Sequence, residues 1–264
     1  MEKYVHGYSQ KESKRLNAQA ATLEEIIHND SIFKKGSRIL EAGCGTGAQT
    51  TIMAKKNPDC FFTSIDISDD SLKKAEQSLR YCKVKNVELM KADINKLDFI
   101  NKKFDYIVLC FVLEHLRDVN SALSKLKKLL KKNGEIMIIE GDHGSTYFFP
   151  DSKFAKQTIN CQVELQRRNG GNANIGRELF LILSSNNFKK INVTPRMIYV
   201  DPEKPELVRG FTENTFIHMI EGVKKEALAN KLISLKDWEN GIKDLYKTKK
   251  GIFCYTFFKA WAQI

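Results

Sequence analysis

The residues able to do chemistry gather in the first half of the chain, around "RILEAGCGTGAQT" (38–50). Gly43, Gly45 and Ala48 satisfy a G-x-G-x-x-A pattern that points to NAD or FAD, while Gly43, Gly45 and Gly47 satisfy a tighter G-x-G-x-G. Either way, a glycine-rich turn brings backbone N–H groups and a helix amino terminus against a ligand. Three acids narrow the choice. Glu41 lies two residues before the first glycine, where a carboxylate repels a pyrophosphate and suits a cation. Asp66 follows Gly47 by 19 residues and ends a second apolar run, placed to accept both hydroxyls of a ribose. Asp93 ends a third run, in "KADI", near where an adenine amino group would lie. Together they suit a ligand with a ribose, an adenine and a positive charge, and no phosphate.

These residues need strands that end at one edge. "SRILEAG" reads as a short apolar strand, and "AQTTIMAKKN" as a helix stopped by Asn57-Pro58. "CFFTSIDIS", "NVELMKAD", "FDYIVLCFV" and "EIMIIEG" read as strands two to five, with helices in "DDSLKKAEQSLRYCK" and "NSALSKLKKLLKKNG". A capping box from Ser9 to Glu12 starts an amphipathic helix over 10–28. Alternating helices and continuously apolar strands predict a parallel sheet covered on both faces, which binds ligands beyond the carboxyl ends of its strands. After residue 141 the spacing loosens. Strand candidates at 191–200 and 252–262 are each preceded by about 50 residues of helical pattern. A parallel sixth strand and an antiparallel last one would start both insertions at the ligand edge, as a lid.

Five stretches resemble, in order, the motifs of the class I S-adenosylmethionine-dependent methyltransferases, of the small-molecule, quinone-biosynthesis-like type. They are "LEAGCGTG", "SIDIS", "KADI", "FDYIVLCFVLEHLRD" and "LKKNGEIMIIEG", the last a variant of the family's L-K-P-G-G turn. "FCYTFFKAWA" is similar to the family's antiparallel seventh strand. The resemblance implies an α/β, Rossmann-like, seven-stranded and mostly parallel sheet with an antiparallel last strand, helices on both faces and helical lid insertions. It also implies S-adenosyl-L-methionine as cofactor. Gly43, Gly45 and Ala42 would contact its methionine part, Glu41 its amino group, Asp66 and Ile67 the ribose and adenine face, and Ala92, Asp93 and Ile94 the adenine. Phe111 and Val112 would sit near the sulfonium, with His115 packed beside the cofactor. "YVHGYSQKESKRLNAQA" resembles the head of a subgroup of small-molecule methyltransferases, in which Tyr4, Arg15 and Gln19 would close over the cofactor. The expected organisation is one domain over 1–264: a helical cap (1–35), a cofactor-binding core (36–141), lid insertions (142–190 and 201–250) and the last strand (251–264).

Methyl transfer is an in-line displacement that chiefly requires alignment in a dry site. Where the nucleophile must lose a proton, the candidate bases are His115 in "LEHL" and His143 in "EGDHGS", of which His143 is favoured, with Asp142 to orient it, and Arg177 is placed to meet an acidic substrate group or a helix surface. Aromatic residues of the insertions, Tyr147, Phe148, Phe149, Phe211 and Trp238, suit a substrate pocket or the lid's own core. The net charge of +11 is carried mostly by lysines, many of them on helix faces, which argues against nucleic acid. Six scattered cysteines without metal spacing predict reduced thiols and no metal. The absence of a long apolar run and of a signal peptide predicts a cytoplasmic protein that does not engage a membrane. The expected partners are a small-molecule methyl acceptor and, in a homodimer, a second copy. A macromolecular acceptor, RNA or protein, has the positive charge in its favour. A non-catalytic S-adenosylmethionine-binding interaction protein is the alternative of another class.

Overall fold

Runs such as "RILEA" and "DYIVLC" have no outward polar face, so their strands must lie inside a covered sheet. The computed structural model describes residue 20, residues 22–97 and residues 103–264. Its strands are β1 (Arg38–Ala42), β2 (Phe61–Asp66), β3 (Val87–Lys91), β4 (Phe104–Cys110), β5 (Leu130–Phe149), β6 (Lys189–Val200) and β7 (Ile252–Gln263). They form one sheet in the order β3-β2-β1-β4-β5-β7-β6. The neighbours from β3 to β5 pair in parallel, while β7 runs antiparallel to both β5 and β6. β1 lies centrally, so its glycine loop opens where the strand order reverses.

The helices are α1 (Ala48–Lys56), α2 (Asp69–Tyr81), α3 (Val119–Leu129), α4 (Lys153–Arg168), α5 (Leu179–Ser185), α6 (His218–Gly222), α7 (Lys224–Ala229) and α8 (Leu235–Lys247), with a π-helix over Val208–Ile217. Serine or aspartate caps start four of them: Ser68, Asp118, Ser152 and Ser234 each accept a hydrogen bond from a backbone N–H of the first turn. Successive residues of β5 face opposite layers. Ile136 and Ile138 pack with Leu123 and Leu126 of α3 and Leu183 of α5, whereas Met137 and Ile139 pack with Leu23, Ile27, Phe211 and Trp238. Phe148, Phe211 and Trp238 thus belong to the layer on the sheet itself, while Tyr147 and Phe149 are exposed.

The fifth strand is longer than the sequence predicts. The segment assigned to a lid from residue 142 begins as strand: after an irregularity between Asp142 and Tyr147, residues 147–149 pair with Cys254, Phe253 and Ile252. The polar run "DHGST" hides this extension, because only the alternation that buries Phe148 between exposed neighbours marks it.

A helix over residues 22–27 is held to the sheet by buried polar groups. Fully buried Lys259 donates from Nζ to Ile27 O (3.0 Å), Ser31 Oγ (2.8 Å) and Asp30 Oδ1 (2.6 Å), placing a cation at that helix's carboxyl end. Burial pulls the Lys259 ammonium below its usual range, and Asp30 opposes this. His28 meets Ser31 Oγ at 2.9 Å and Gln49 Oε1 at 2.7 Å, and burial lowers its pKa to about 4. The predicted Ser9–Glu12 capping box lies outside the described residues.

Candidate functional site

Three strand tips meet at the carboxyl edge. Gly43 has φ +81° and lies against the loop after β4: a Cβ on Gly43 would come within 2.6 Å of Val112 Cγ2. Gly45 has φ +53°, and a Cβ there would meet nothing within 4 Å, so its backbone faces open space. Gly47 N-caps α1. Asp66 braces this turn from β2, accepting from Gly45 N–H (2.8 Å) at Oδ2 and from Ser68 N–H (2.9 Å) at Oδ1. Burial raises the Asp66 pKa, and these backbone donors oppose the rise.

Glu41 is buried at the tip of β1 and accepts from Ser64 Oγ at 2.7 Å. Burial pushes its pKa up to about 7, with the Asp66 charge adding to the rise. Among the described residues no lysine or arginine pairs with it. The Asp93 carboxylate accepts from Asn95 N–H at 2.8 Å. Ile67 is half exposed at the tip of β2, whereas the Ala92 and Ile94 side chains are buried in the sheet's second layer, leaving their backbone for any ligand contact. Tyr4, Arg15 and Gln19 lie outside the described residues.

The loop after β4 carries the next group. Phe111 adopts φ +59°, uncommon for an aromatic residue, and Leu113–His115 form a 3₁₀ turn. Glu140, on neighbouring β5, holds this loop: its Oε1 accepts from Val112 N–H (2.9 Å) and Leu113 N–H (2.7 Å). Burial keeps the Glu140 pKa well above the carboxylate range, and the Glu114 charge adds to the shift. Glu114 Oε2 accepts from Gln166 Nε2 of α4 at 3.0 Å, and His115 Nε2 stands 3.6 Å from Glu114 Oε1.

His143 and Asp142 separate. Asp142 is clamped by Arg177 through two bonds of 2.7 and 2.8 Å, so the expected Asp142–His143 pair does not form and Arg177 faces a carboxylate of its own chain. Consecutive strand residues point to opposite faces, which accounts for the split. Buried His143 instead meets the Tyr255 hydroxyl at 3.0 Å through Nδ1, with its ring near Phe216. Burial raises the Tyr255 pKa well above its ordinary value. Tyr255 also packs with Phe211, Phe216 and Phe257, and Phe257 reaches Phe111 at 5.5 Å between ring centroids. The sequence reading missed Glu114, Glu140 and Tyr255 as site residues. A charged residue closing an otherwise apolar run, in "IMIIEG", was the available signal for Glu140.

The residues fit a cationic adenosine ligand. A buried acid with no lysine or arginine partner among the described residues, an open glycine backbone and a braced aspartate meet at one edge. Among the described residues, no group of three or more His, Cys, Asp or Glu side chains is placed to hold a metal ion, and no helix is long and apolar enough to cross a membrane.

Comparison with known proteins agrees with this geometry. Residues 33–191 match the family model described as a methyltransferase domain. A demethylmenaquinone methyltransferase of Listeria welshimeri is 29% identical over 108 residues, covering 40% of this chain and 46% of that protein. A methyltransferase of Schizosaccharomyces pombe without an assigned substrate is 32% identical over 152 residues, covering 55% and 54%. The chain therefore spans about half the length of the curated relatives it matches. Among solved structures, the YcgJ protein of Bacillus subtilis superposes with a TM-score of 0.54 at 15% identity, over 95% of this chain and 98% of that one. Phosphoethanolamine N-methyltransferase 2 of Haemonchus contortus, in complex with S-adenosyl-L-methionine, does so with 0.54 at 17% identity, over 94% and 52%. At these identities the likeness is one of fold.

Proposed function

This chain belongs to the methyltransferase-domain family, and on that premise we propose that it transfers a methyl group from S-adenosyl-L-methionine to a small-molecule acceptor by in-line displacement. The observation that carries the reading is the juxtaposition of buried Glu41, which no lysine or arginine among the described residues meets, with the open backbone of Gly45 and the Asp66 that braces it. Glu41 would face the amino group of the methionine part, Gly43 and Gly45 would cradle it, and Asp66 would take the ribose. Ile67 and Asp93 would border the adenine. When bound, the cofactor supplies an electrophilic methyl carbon. The chain's own work is to align the acceptor and to exclude water.

The acceptor side would lie beside Phe111 and Tyr255, on the face of the sheet that carries Phe257. His143 would take a proton there in the tautomer whose Nδ1–H donates to Tyr255, which puts the ring's lone pair on Nε2. A small-molecule acceptor agrees with the relatives whose names state one, demethylmenaquinone methyltransferases among them. Calorimetric titration with S-adenosylmethionine and, separately, with NADH tests the reading. Saturable binding of the first alone, weakened by Asp66→Ala, is expected; binding of NADH, or of neither, would overturn it.

A further inference from the structure

The last three strands of the sheet have one buried face and one exposed apolar face. Phe148, Phe253, Tyr255, Ile198 and Val200 point into the layer of Phe211 and Trp238. Their chain neighbours must therefore point the other way. The register sets these neighbours in rows across the strands: Tyr147, Cys254 and Tyr199 in one, Phe149 and Ile252 in the row on one side of it, Thr256 and Met197 in the row on the other. Tyr147, Phe149, Met197 and Tyr199 are 42–62% exposed. Helix α5 lies over the adjoining part of the same face, its Leu179 and Leu183 packed with Ala260 and Ala262, and it turns Phe180 and Leu181 to solvent.

These six side chains together expose roughly 600–700 Å². A monomer's largest apolar patch is ordinarily about 300–600 Å², whereas a stable interface takes about 800 Å² from each partner, with Tyr, Phe and Met enriched in it. The charge around the patch is the second observation. The chain as a whole carries +11, yet the turns at the open end of the three strands, residues 150–153, 201–206 and 248–251, hold four acids and four lysines. At the patch's inner end Asp142 is paired with Arg177, and beside Tyr199 Asp201 is paired with Lys204 at 3.1 Å. This surface is neutral on a strongly basic protein.

We propose that the face formed by β5, β7, β6 and α5 is a dimer interface, packed against the same face of a second copy about a two-fold axis. In such an interface each patch meets its own copy, so a net charge of either sign would repel itself, and balanced charges remove that penalty. An anionic bilayer would instead need a local surplus of lysines, which the rim lacks. The acceptor side of the reading above would lie on the opposite face, at Tyr255 and Phe257, so the two surfaces are independent.

Sedimentation velocity of the full chain over about 1–100 μM is expected to show monomer giving way to dimer. Hydroxyl-radical labelling of Tyr147, Met197 and Tyr199 should fall over the same range, while Tyr81, 89% exposed on α2 beside the opposite edge of the sheet, keeps its labelling. Met197→Glu should weaken the dimer by about ten-fold or more, and Tyr81→Glu should leave it unchanged. A monomer throughout the range, or a dimer whose formation leaves Tyr147, Met197 and Tyr199 equally labelled, overturns the proposal. Protection of these three by phosphatidylglycerol vesicles, with none from rising protein concentration, assigns the face to a membrane and overturns it as well. The labelling of the unsubstituted protein needs no variant to fold.

Discussion

Alanine at position 43 should disturb the glycine turn by two separable routes. A Cβ on Gly43 lies 2.6 Å from Val112 Cγ2 and 3.1 Å from Cγ1, whereas carbon atoms rest at about 3.5–4.0 Å. Val112 would have to retreat by roughly 1 Å, but its N–H is tied to Glu140 at 2.9 Å. Overpacking of this kind costs about 1–3 kcal/mol. Independently, alanine at φ +81° adds about 1–2 kcal/mol of backbone strain. Gly43→Ala should therefore destabilise the protein by about 2–5 kcal/mol in total. In a Val112→Ala background the clash disappears and only the strain, about 1–2 kcal/mol, should remain. Urea unfolding of the four proteins of this cycle, read from midpoints at constant slope, gives the coupling directly. Gly45→Ala is the control, since φ +53° with nothing within 4 Å should cost only about 1 kcal/mol. If the Gly43 and Val112 substitutions simply add, to within about 0.5 kcal/mol, the turn is not fixed by the loop after β4.

Asp66→Asn removes a charge-assisted acceptor from Gly45 and should weaken S-adenosylmethionine binding by about ten- to a hundred-fold in calorimetry, with little change in stability; unchanged affinity would remove Asp66 from the site. Lys259→Met removes the Nζ donor shared by Ile27 O, Ser31 Oγ and Asp30 Oδ1, leaving Asp30 with Arg196, and should cost about 2–4 kcal/mol in urea unfolding, a loss below 1 kcal/mol refuting the tether. Glu41 and His28 give opposite pH dependences. With its folded pKa raised to about 7, Glu41 contributes stability that is full below about 4.5 and lost as pH rises through 7. Glu41→Gln should thus gain on the unsubstituted protein by up to about 3 kcal/mol between pH 5 and pH 8, and a flat difference would contradict the buried carboxyl. His28, lowered to about 4, contributes stability that is present above 6.5 and lost as pH falls through 4, so replacing it with Gln should flatten that acid limb of the unfolding curve.

The parts of the fold set by local pattern were legible in the sequence. β1 to β4 needed only apolar runs, and their order followed from helices between parallel strands and from the resemblance. The glycines and the acids at 41, 66 and 93 could be placed because each closes a run. What escaped depended on the third dimension. The β5 extension exists because β7 pairs with it, and its polar residues give no strand signal of their own. The separation of Asp142 from His143 follows from strand alternation once 143 is placed in β5. Glu140 became a loop-holding residue only through Val112 and Leu113, 28 and 27 residues away. The Val208–Ile217 segment keeps helical composition but adopts the wider turn, which apolar spacing does not announce.

The position of β7 between β5 and β6 sets the order in which the molecule can assemble as it leaves the ribosome. β1 to β5 can pair as soon as each emerges, since every parallel neighbour among them has already been made. β6 cannot, because its only sheet neighbour among the described strands is synthesised about fifty residues later. During that interval β5 and β6 both offer bare edges, a window in which chaperone capture or wrong pairing competes with the correct one. Arrival of β7 closes both edges in a single event, and the same event brings Tyr255 beside His143. A nascent chain stalled before β7 should therefore bind holdases and lack the acceptor side altogether, while already carrying the glycine turn in its final setting.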